Sequence, residues 1–313
     1  MLEAGQNADG GWGFHPGAAS RVEPTCWAVQ ALCDARGTAR ERVAQGVAYL
    51  KKKQLADGSW PATSGPTDGG RGAGQETGGW MTSLACGVLA RVERNRQTSG
   101  VQPVIEAGLQ WLCDDYPRDS SGWHKFLKKL QFRNNTVEQN DEFRGWGWTP
   151  RTSSWVEPTA SALMAFAEAR SERLAKAIAE RRSLAIGLLY DRMCPGGGWN
   201  CGNPRVYGVD GEALILPTCW ALLALRHEPE HPRREFSLVW LSKAFLEIES
   251  AGSLAVGMLT LENYGISGAG ARRSLCDWAA HELAEQGTHV MAWVAMALNP
   301  LRTWPAGNTV AVQ

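Results

Sequence analysis

Two glutamates occupy the same position in two copies of one short segment. Glu23 lies in Val-Glu-Pro-Thr at 22–25, and Glu157 lies in the same four residues at 156–159. A strongly apolar stretch follows each copy. An isolated carboxyl at the mouth of an apolar cavity could serve as an acid, because burial favours its protonated form. The simpler interpretation is a charge at a helix N-terminus beside a proline. Glu76 has the same two interpretations with weaker support from its surroundings.

Tryptophan is the most over-represented residue, with 15 in a chain of 313 residues. Such an excess is typical of a repeat motif or of a cavity lined by aromatic rings. One group lies in Gly-rich turns and is interpreted as structural links between neighbouring helices: Trp12, Trp60, Trp146, Trp148 and Trp199. A second group lies in apolar stretches and either faces a central cavity or packs in the core: Trp27, Trp80, Trp220 and Trp293.

Both groups belong to a repeated block. It consists of an amphipathic helix, a Gly-rich turn that ends in Trp, and a second helix that is apolar nearly all round. A helix that is apolar all round must be buried on every side, whereas an amphipathic helix suits an outer layer. The pattern predicts six inner helices, near 23–35, 76–92, 157–170, 217–227, 252–263 and 288–298. It predicts five outer helices, near 39–54, 102–115, 172–193, 233–247 and 270–286.

This alternation predicts an all-α fold, an (α/α)6 toroid in which two rings of helices form one domain over residues 1–313. An open solenoid is the competing architecture. The polar stretch 116–155 is longer than an ordinary connection and is interpreted as an insertion across one end of the ring. Residues 61–75 are predicted to form a Gly- and Pro-rich loop at the corresponding place, and 300–313 a flexible tail.

Composition excludes several classes of protein. Lys and Arg together number 32, as do Asp and Glu, so a broad electrostatic surface for nucleic acid is not expected. No apolar run is long enough for a transmembrane helix, and the first residues are acidic and Gly-rich, unlike a signal peptide. The eight cysteines include no C-x-x-C pair. We expect buried free thiols in a reducing, cytoplasmic compartment.

The repeat itself resembles a known family. Gly46-x-x-Tyr49-Leu50-x-x-x-Gln54-x-x-x-Gly58-x-Trp60 resembles the QW repeat of squalene and oxidosqualene cyclases, and the wider pattern is shared with protein prenyltransferase β-subunits. The resemblance covers nearly the whole chain and looks most like a single-domain relative of the squalene cyclases. It implies a toroid with an apolar central cavity, and a polyprenyl or other lipid-like substrate.

The resemblance also implies a role for the glutamates. Squalene cyclases start their reaction by protonating an alkene or epoxide with an acid from Asp-x-Asp-Asp-Thr-Ala. Glu23 and Glu157 stand at the donor position, whereas Pro24 and Pro158 replace the last acid of the cluster and break it. Our first hypothesis is acid-initiated cyclisation or isomerisation by Glu157 or Glu23. The second group of tryptophans would then stabilise a carbocation or pack an isoprenoid chain.

Two further hypotheses are kept. A zinc-dependent prenyltransferase β-subunit-like protein would use Cys219 and His289, with Asp210 or Glu212 as oxygen ligand, and would need a helical protein partner. Zinc is not favoured, because the family's own aspartate position holds Pro217. A non-catalytic toroid that binds a lipid or a protein is the other alternative, and a peripheral membrane contact stays open. The acidic run 114–119 is interpreted as the exposed end of an outer helix.

Overall fold

The computed structural model describes residues 1–33, 38–62, 77–95, 97–117, 139–283 and 286–299. In this part of the chain the inner helices are α1 Val22–Leu32, α3 Gly79–Arg94, α5 Val156–Glu168, α7 Ile215–Leu225, α9 Ala251–Asn263 and α11 Thr288–Leu298. The outer helices are α2 Thr38–Lys53, α4 Gln102–Asp114, α6 Ala175–Asp191, α8 Pro232–Ala244 and α10 Ala269–His281. Short 3-10 helices cover Glu3–Gly5 and Phe245–Glu247. The predicted helices are therefore confirmed, with ends shifted by a few residues.

Some predicted elements lie outside the described residues. These are Glu76, nearly all of the predicted loop 61–75, the middle of the predicted insertion, and the predicted tail at 300–313. The described end of the predicted insertion, 139–155, contains a regular copy of the Gly-rich turn and leads into α5.

The inner helices contact one another in a closed cycle. α1 packs against α3, α3 against α5, α5 against α7, α7 against α9, α9 against α11, and α11 again against α1. Each outer helix packs against the inner helix that precedes it. An open solenoid would leave its first and last inner helices apart, so these contacts favour the closed ring.

Four turn tryptophans share one hydrogen-bond pattern, and each is at most 1% exposed: Trp12, Trp60, Trp146 and Trp199. The indole N–H of Trp60 donates to the carbonyl of Leu50 at 2.8 Å, near the end of the outer helix α2. Carbonyls in the last turn of a helix have no partner within the helix, so the indole supplies one. The same bond runs from Trp146 to Leu112 in α4 and from Trp199 to Leu189 in α6. The predicted linking role is confirmed for these residues.

The backbone of each turn tryptophan is held by the next inner helix. The N–H of Trp199 donates to the hydroxyl of Thr218 at 2.9 Å, in the first turn of α7. Trp12, Trp60 and Trp146 use Thr25, Thr82 and Thr159 in the same way, at 2.9, 3.2 and 3.0 Å. Trp60, Trp146 and Trp199 therefore each tie an outer helix to the inner helix that follows it, whereas the indole N–H of Trp12 donates to the carbonyl of Leu2 at 2.7 Å, beside the short 3-10 helix.

Trp148 departs from the predicted linking role. Its side chain is 39% exposed, and its ring lies 5.4 Å from that of Trp80 in α3. It thus belongs to the surface of the ring and not to the links between helices.

A small hairpin was not predicted from the sequence. β1 Arg205–Val206 pairs with β2 Val209–Asp210 in antiparallel fashion, with Val206 opposite Val209. Tyr207 and Gly208 form its turn, and both have positive φ, at 51° and 76°. Two consecutive positive φ values are typical of the tight hairpin turn that usually carries Asn-Gly.

We expect Trp60→Phe to lower the free energy of unfolding by about 1–3 kcal/mol, because the carbonyl of Leu50 would lose its buried partner. Urea denaturation measures this change. Trp148→Phe is the matched control, and we expect it to stay within about 0.5 kcal/mol of the parent. Equal effects of the two substitutions would show that the indole hydrogen bond does not link the helices.

Candidate functional site

Long loops stand at the end of the ring where the inner helices begin, which we call the N-terminal face. Residues 13–20, 147–154 and 200–213 each connect a turn tryptophan to the start of an inner helix. Each loop is closed at its base by a backbone hydrogen bond to the tryptophan carbonyl, from Arg21, Trp155 and Leu214 at 2.8–2.9 Å. These loops therefore project from one face.

The second residue of each inner helix lies at this face. In chain order these residues are Glu23, Trp80, Glu157, Leu216, Gly252 and His289. Both described glutamates of the first hypothesis, one predicted cavity tryptophan and the predicted zinc histidine are thus brought to the same end of the ring. Only two of the six positions carry a carboxylate.

The four predicted cavity tryptophans pack against one another. Trp27 stacks on Trp220 with ring centres 5.7 Å apart and planes at 28°, and it meets Trp293 edge-on at 5.5 Å. Trp80 lies 6.4 Å from Trp27 and 6.1 Å from Trp220. All four are buried, and none is more than 9% exposed. We call them the tryptophan cluster.

The tryptophan cluster crosses the middle of the ring. Trp27 belongs to α1 and Trp220 to α7, which stand opposite each other in the cycle of six inner helices. Because side chains from opposite helices stack, the space between those helices is filled at this level. Their part in binding a substrate stays a prediction, whereas the structure shows that their faces cover one another.

A small cavity remains beside the cluster, between α1, α3 and α5. Its lining includes Trp27, Trp80, Gln30, Ser83 and Ser161. Its volume is about 20 Å³, which is room for about one water molecule. Among the described residues, the space next to the cluster is therefore far smaller than an isoprenoid chain.

Glu23 is half-buried beside the cluster. Burial raises the pKa of its carboxyl, and hydrogen bonding by the side chains of Trp80 and Trp27 partly opposes that rise. A carboxyl with a raised pKa keeps its proton to a higher pH, which an acid donor requires. The environment thus suits the predicted acid, although the catalytic role itself stays a prediction.

Glu157 has a different environment. Burial alone raises the pKa of its carboxyl. Burial raises the pKa of the Cys201 thiol, and the charge of Glu157 raises it further. The neighbouring Val156 N–H donates to the Cys201 carbonyl at 3.2 Å. Glu157 therefore faces the loop 200–213, a neighbour that the sequence did not indicate.

His289 lies next to the cluster, with its ring 5.1 Å from Trp293 in an edge-on arrangement. Burial and the nearby His15 both lower its pKa, so burial and charge favour the neutral imidazole. His15 comes from the loop 13–20, and nothing in its sequence context marked it as a neighbour.

The described residues do not bring the three predicted zinc ligands together. Cys219 is fully buried, and burial raises the pKa of its thiol to about 12, which disfavours the thiolate that zinc needs. Asp210 lies on the hairpin and pairs with Arg205 at 2.6 Å. No group of three His, Cys, Asp or Glu side chains that could hold a metal ion occurs in the described ranges.

All eight cysteines are free thiols, as predicted. Six are buried, whereas Cys201 is half-buried and Cys276 is exposed. The prediction of burial is therefore wrong for Cys276, because it lies on the outer surface of α10. No helix in the described part of the chain combines the length and apolarity needed to cross a bilayer.

Comparison with known proteins gives the fold but no family. No family model matches the chain, and no curated protein is significantly similar in sequence. A protein from Actinoplanes matches over 95% of both chains, with a TM-score of 0.59 and 16% identity. The endoglucanase Cel10 from Klebsiella pneumoniae, a family 8 glycosyl hydrolase, matches over 82% of this chain and 87% of its own, with a TM-score of 0.54 and 14% identity.

A third structure, Salmonella alpha-2-macroglobulin reacted with methylamine, matches 88% of this chain and 16% of its own at a TM-score of 0.45 and 15% identity. That score is too low to carry an argument. The family 8 hydrolase is an (α/α)6 barrel, so the likeness is consistent with an α/α toroid and does not point to squalene cyclases in particular.

We expect Glu23→Gln to stabilise the protein increasingly as the pH rises. The folded-state pKa of Glu23 lies above its ordinary value of 4.5, so ionisation costs more in the folded state than in the unfolded one. The stability linked to this proton is present below 4.5 and is lost as the pH rises through the folded-state pKa. Urea denaturation of parent and variant between about pH 4 and pH 7 measures the difference.

Glu41→Gln is the control, because Glu41 is exposed in the first turn of α2. A difference between parent and Glu23→Gln that does not grow with pH would contradict the raised pKa of Glu23.

Proposed function

We propose that this chain is a non-catalytic binding toroid that takes a lipid-like ligand at its N-terminal face. The observation that carries the proposal is the tryptophan cluster. A polyprenyl chain inside the ring would have to separate rings that stack across it. Each such aromatic pair contributes about 0.5–1.5 kcal/mol beyond the area it buries. Binding on the face requires no such separation.

The N-terminal face offers apolar contacts. Large side chains that are 39–77% exposed project from its three described loops: Phe14, Trp148, Tyr207, Val209 and Leu214. Exposed apolar side chains gathered on one surface mark interaction sites more often than scattered ones do. Trp and Tyr combine an apolar ring with a polar group, which suits a ligand that meets water on one side.

Trp148 is the side chain to test. It is exposed, and its ring packs against that of Trp80 at an angle of 43°, so it joins the face to the tryptophan cluster. We expect Trp148→Ala to weaken the binding of farnesol by about fivefold, which corresponds to about 1 kcal/mol of lost contact. Titration calorimetry with farnesol measures the dissociation constant.

Val239→Ala is the matched control. Val239 is 53% exposed but lies in the middle of the outer helix α8, away from the N-terminal face. We expect its variant to bind farnesol like the parent. Equal losses in both variants, or no binding by the parent, would contradict a lipid site on this face.

Squalene-cyclase-like chemistry is the second candidate, and the environment of Glu23 favours it. This carboxyl has a raised pKa and lies against indole rings, whose faces stabilise cations. In such a reaction the Glu23 carboxyl gives its proton to an alkene carbon. The charge passes to the neighbouring carbon, which is then attacked by a second alkene or loses a proton.

If this candidate is correct, incubation with squalene yields cyclised or isomerised products. We expect Glu23→Gln to remove at least about nine-tenths of that product, because an amide has no acidic proton to give. Gas chromatography with mass detection identifies the products, and Glu41→Gln controls for the loss of a glutamate elsewhere. Product formation that survives in both Glu23→Gln and Glu157→Gln would eliminate these acids.

A further inference from the structure

A buried arginine lies where α4 ends and the loop before α5 begins. Arg181 projects from α6 and is 2% exposed. Its guanidinium lies 4.1 Å from the centre of the Trp146 ring and 4.8 Å from that of Tyr116. Its Nη2 donates to the carbonyl of Asp115 at 3.0 Å and to that of Gly145 at 3.2 Å.

The remaining edge of this guanidinium has no partner. Its Nε and Nη1 are buried and make no hydrogen bond within the described structure. The Nε of Arg144 is also buried and makes no hydrogen bond. The Arg144 guanidinium lies over Tyr116 as well, 5.7 Å from the centre of its ring. Buried N–H groups are nearly always paired with protein, water or an ion, so unpaired donors on two neighbouring arginines indicate a missing acceptor.

Positive charge is in excess here. Burial lowers the pKa of Arg181, the charge of Arg144 adds a smaller lowering by repulsion, and Tyr116 and Asp115 oppose both. Arg151 and Arg181 both act on the pKa of Asp115. Two guanidinium groups therefore lie near the Asp115 carboxyl, and a third, that of Arg144, lies near Arg181. Burial also raises the pKa of Asp115, which weakens its neutralising charge.

We propose that Arg181 and Arg144, on either side of the loop base at 144–146, bind an oxyanion such as a phosphate or carboxylate group. An oxyanion accepts several hydrogen bonds at once, which matches the unpaired N–H groups of two planar guanidinium forks. It would also neutralise the repulsion between the two arginines. Tyr116 is 48% exposed and contacts both guanidinium groups, so it marks the side from which an anion enters.

The sequence indicates that the acidic run 114–119 is the exposed end of an outer helix, but one of its residues also lies beside the proposed oxyanion site. Asp114 is exposed, as predicted for a helix end, whereas Asp115 is half-buried and turned towards arginines. The site uses no residue of the tryptophan cluster and does not rest on the proposed lipid site.

The test measures stabilisation by inorganic phosphate. Anything that binds the folded state raises the midpoint of thermal unfolding, so we expect about 10 mM phosphate to raise it by at least about 2 °C over sodium chloride of equal ionic strength. Arg144→Gln should lose more than half of that rise, and its dissociation constant for phosphate in titration calorimetry should increase about tenfold. Arg151→Gln, which removes a more distant charge, should lose a smaller part.

Arg173→Gln is the matched control, because Arg173 is 56% exposed and pairs with Glu106 outside this site. It should keep the full rise. An unchanged rise in Arg144→Gln, or no rise in the parent, would overturn the proposal and assign the unpaired N–H groups to buried water. If Arg144→Gln does not fold, the proposal is tested by whether Arg151→Gln loses part of the phosphate-induced rise that Arg173→Gln keeps.

Two further arms identify the source of the anion. Acetate at equal ionic strength tests whether a carboxylate suffices. Sedimentation with vesicles of phosphatidic acid, against vesicles of phosphatidylcholine alone, tests a lipid phosphate. Stabilisation by phosphate without sedimentation assigns a soluble ligand, and sedimentation that Arg144→Gln abolishes assigns a lipid headgroup. Each of these two results supports the oxyanion site. The site is contradicted if phosphate does not stabilise the parent and Arg144→Gln still sediments with the vesicles.

Discussion

The ring depends on a pair of hydrogen bonds at each of three turn tryptophans, Trp60, Trp146 and Trp199. The indole N–H satisfies a carbonyl in the last turn of an outer helix, and a threonine hydroxyl from the next inner helix holds the tryptophan backbone, as at Trp199 and Thr218. Both ends of the connection are polar groups that burial would otherwise leave unpaired. Because the same pair recurs at the junctions after α2, α4 and α6, the angle between successive helices is set locally there. The junctions after α8 and α10 carry no turn tryptophan, and the contacts between inner helices complete the ring.

Closing the ring in this way creates a central space, and the chain fills that space with indole rings. Trp27 and Trp220 reach each other from opposite helices, and Trp80 and Trp293 complete the packing. Residues near the middle are therefore part of the core, whereas titratable side chains lie at the face where the inner helices begin. Glu23 and His289 lie at that boundary, buried enough for their pKa values to shift.

The sequence predicts the helices well, because an inner helix buried on all sides is apolar all round, whereas an outer helix buried on one side is amphipathic. It also predicts the linking role of Trp60 and its equivalents, since that role is local and recurs. It does not predict whether the inner tryptophans line a space or fill it. That outcome depends on side chains that are far apart in the chain, such as Trp27 and Trp293. The unpaired N–H groups of Arg181 escape prediction for the same reason.

The hydroxyl of Thr288 donates to the carbonyl of Gly13 at 2.6 Å across a separation of 275 residues, and this bond joins the last inner helix to the first loop. Bringing the ends of so long a chain together costs about 5 kcal/mol of loop-closure entropy, compared with about 2–3 kcal/mol for the links between successive helices that span 13 to 22 residues. The contacts with the largest separation in sequence thus lie in one seam, between α11 and α1. Repeats can assemble in sequence during synthesis, but the seam cannot form until α11 has left the ribosome. A circular permutant cut at another connection would turn this seam into a local contact and move the costly closure elsewhere in the ring.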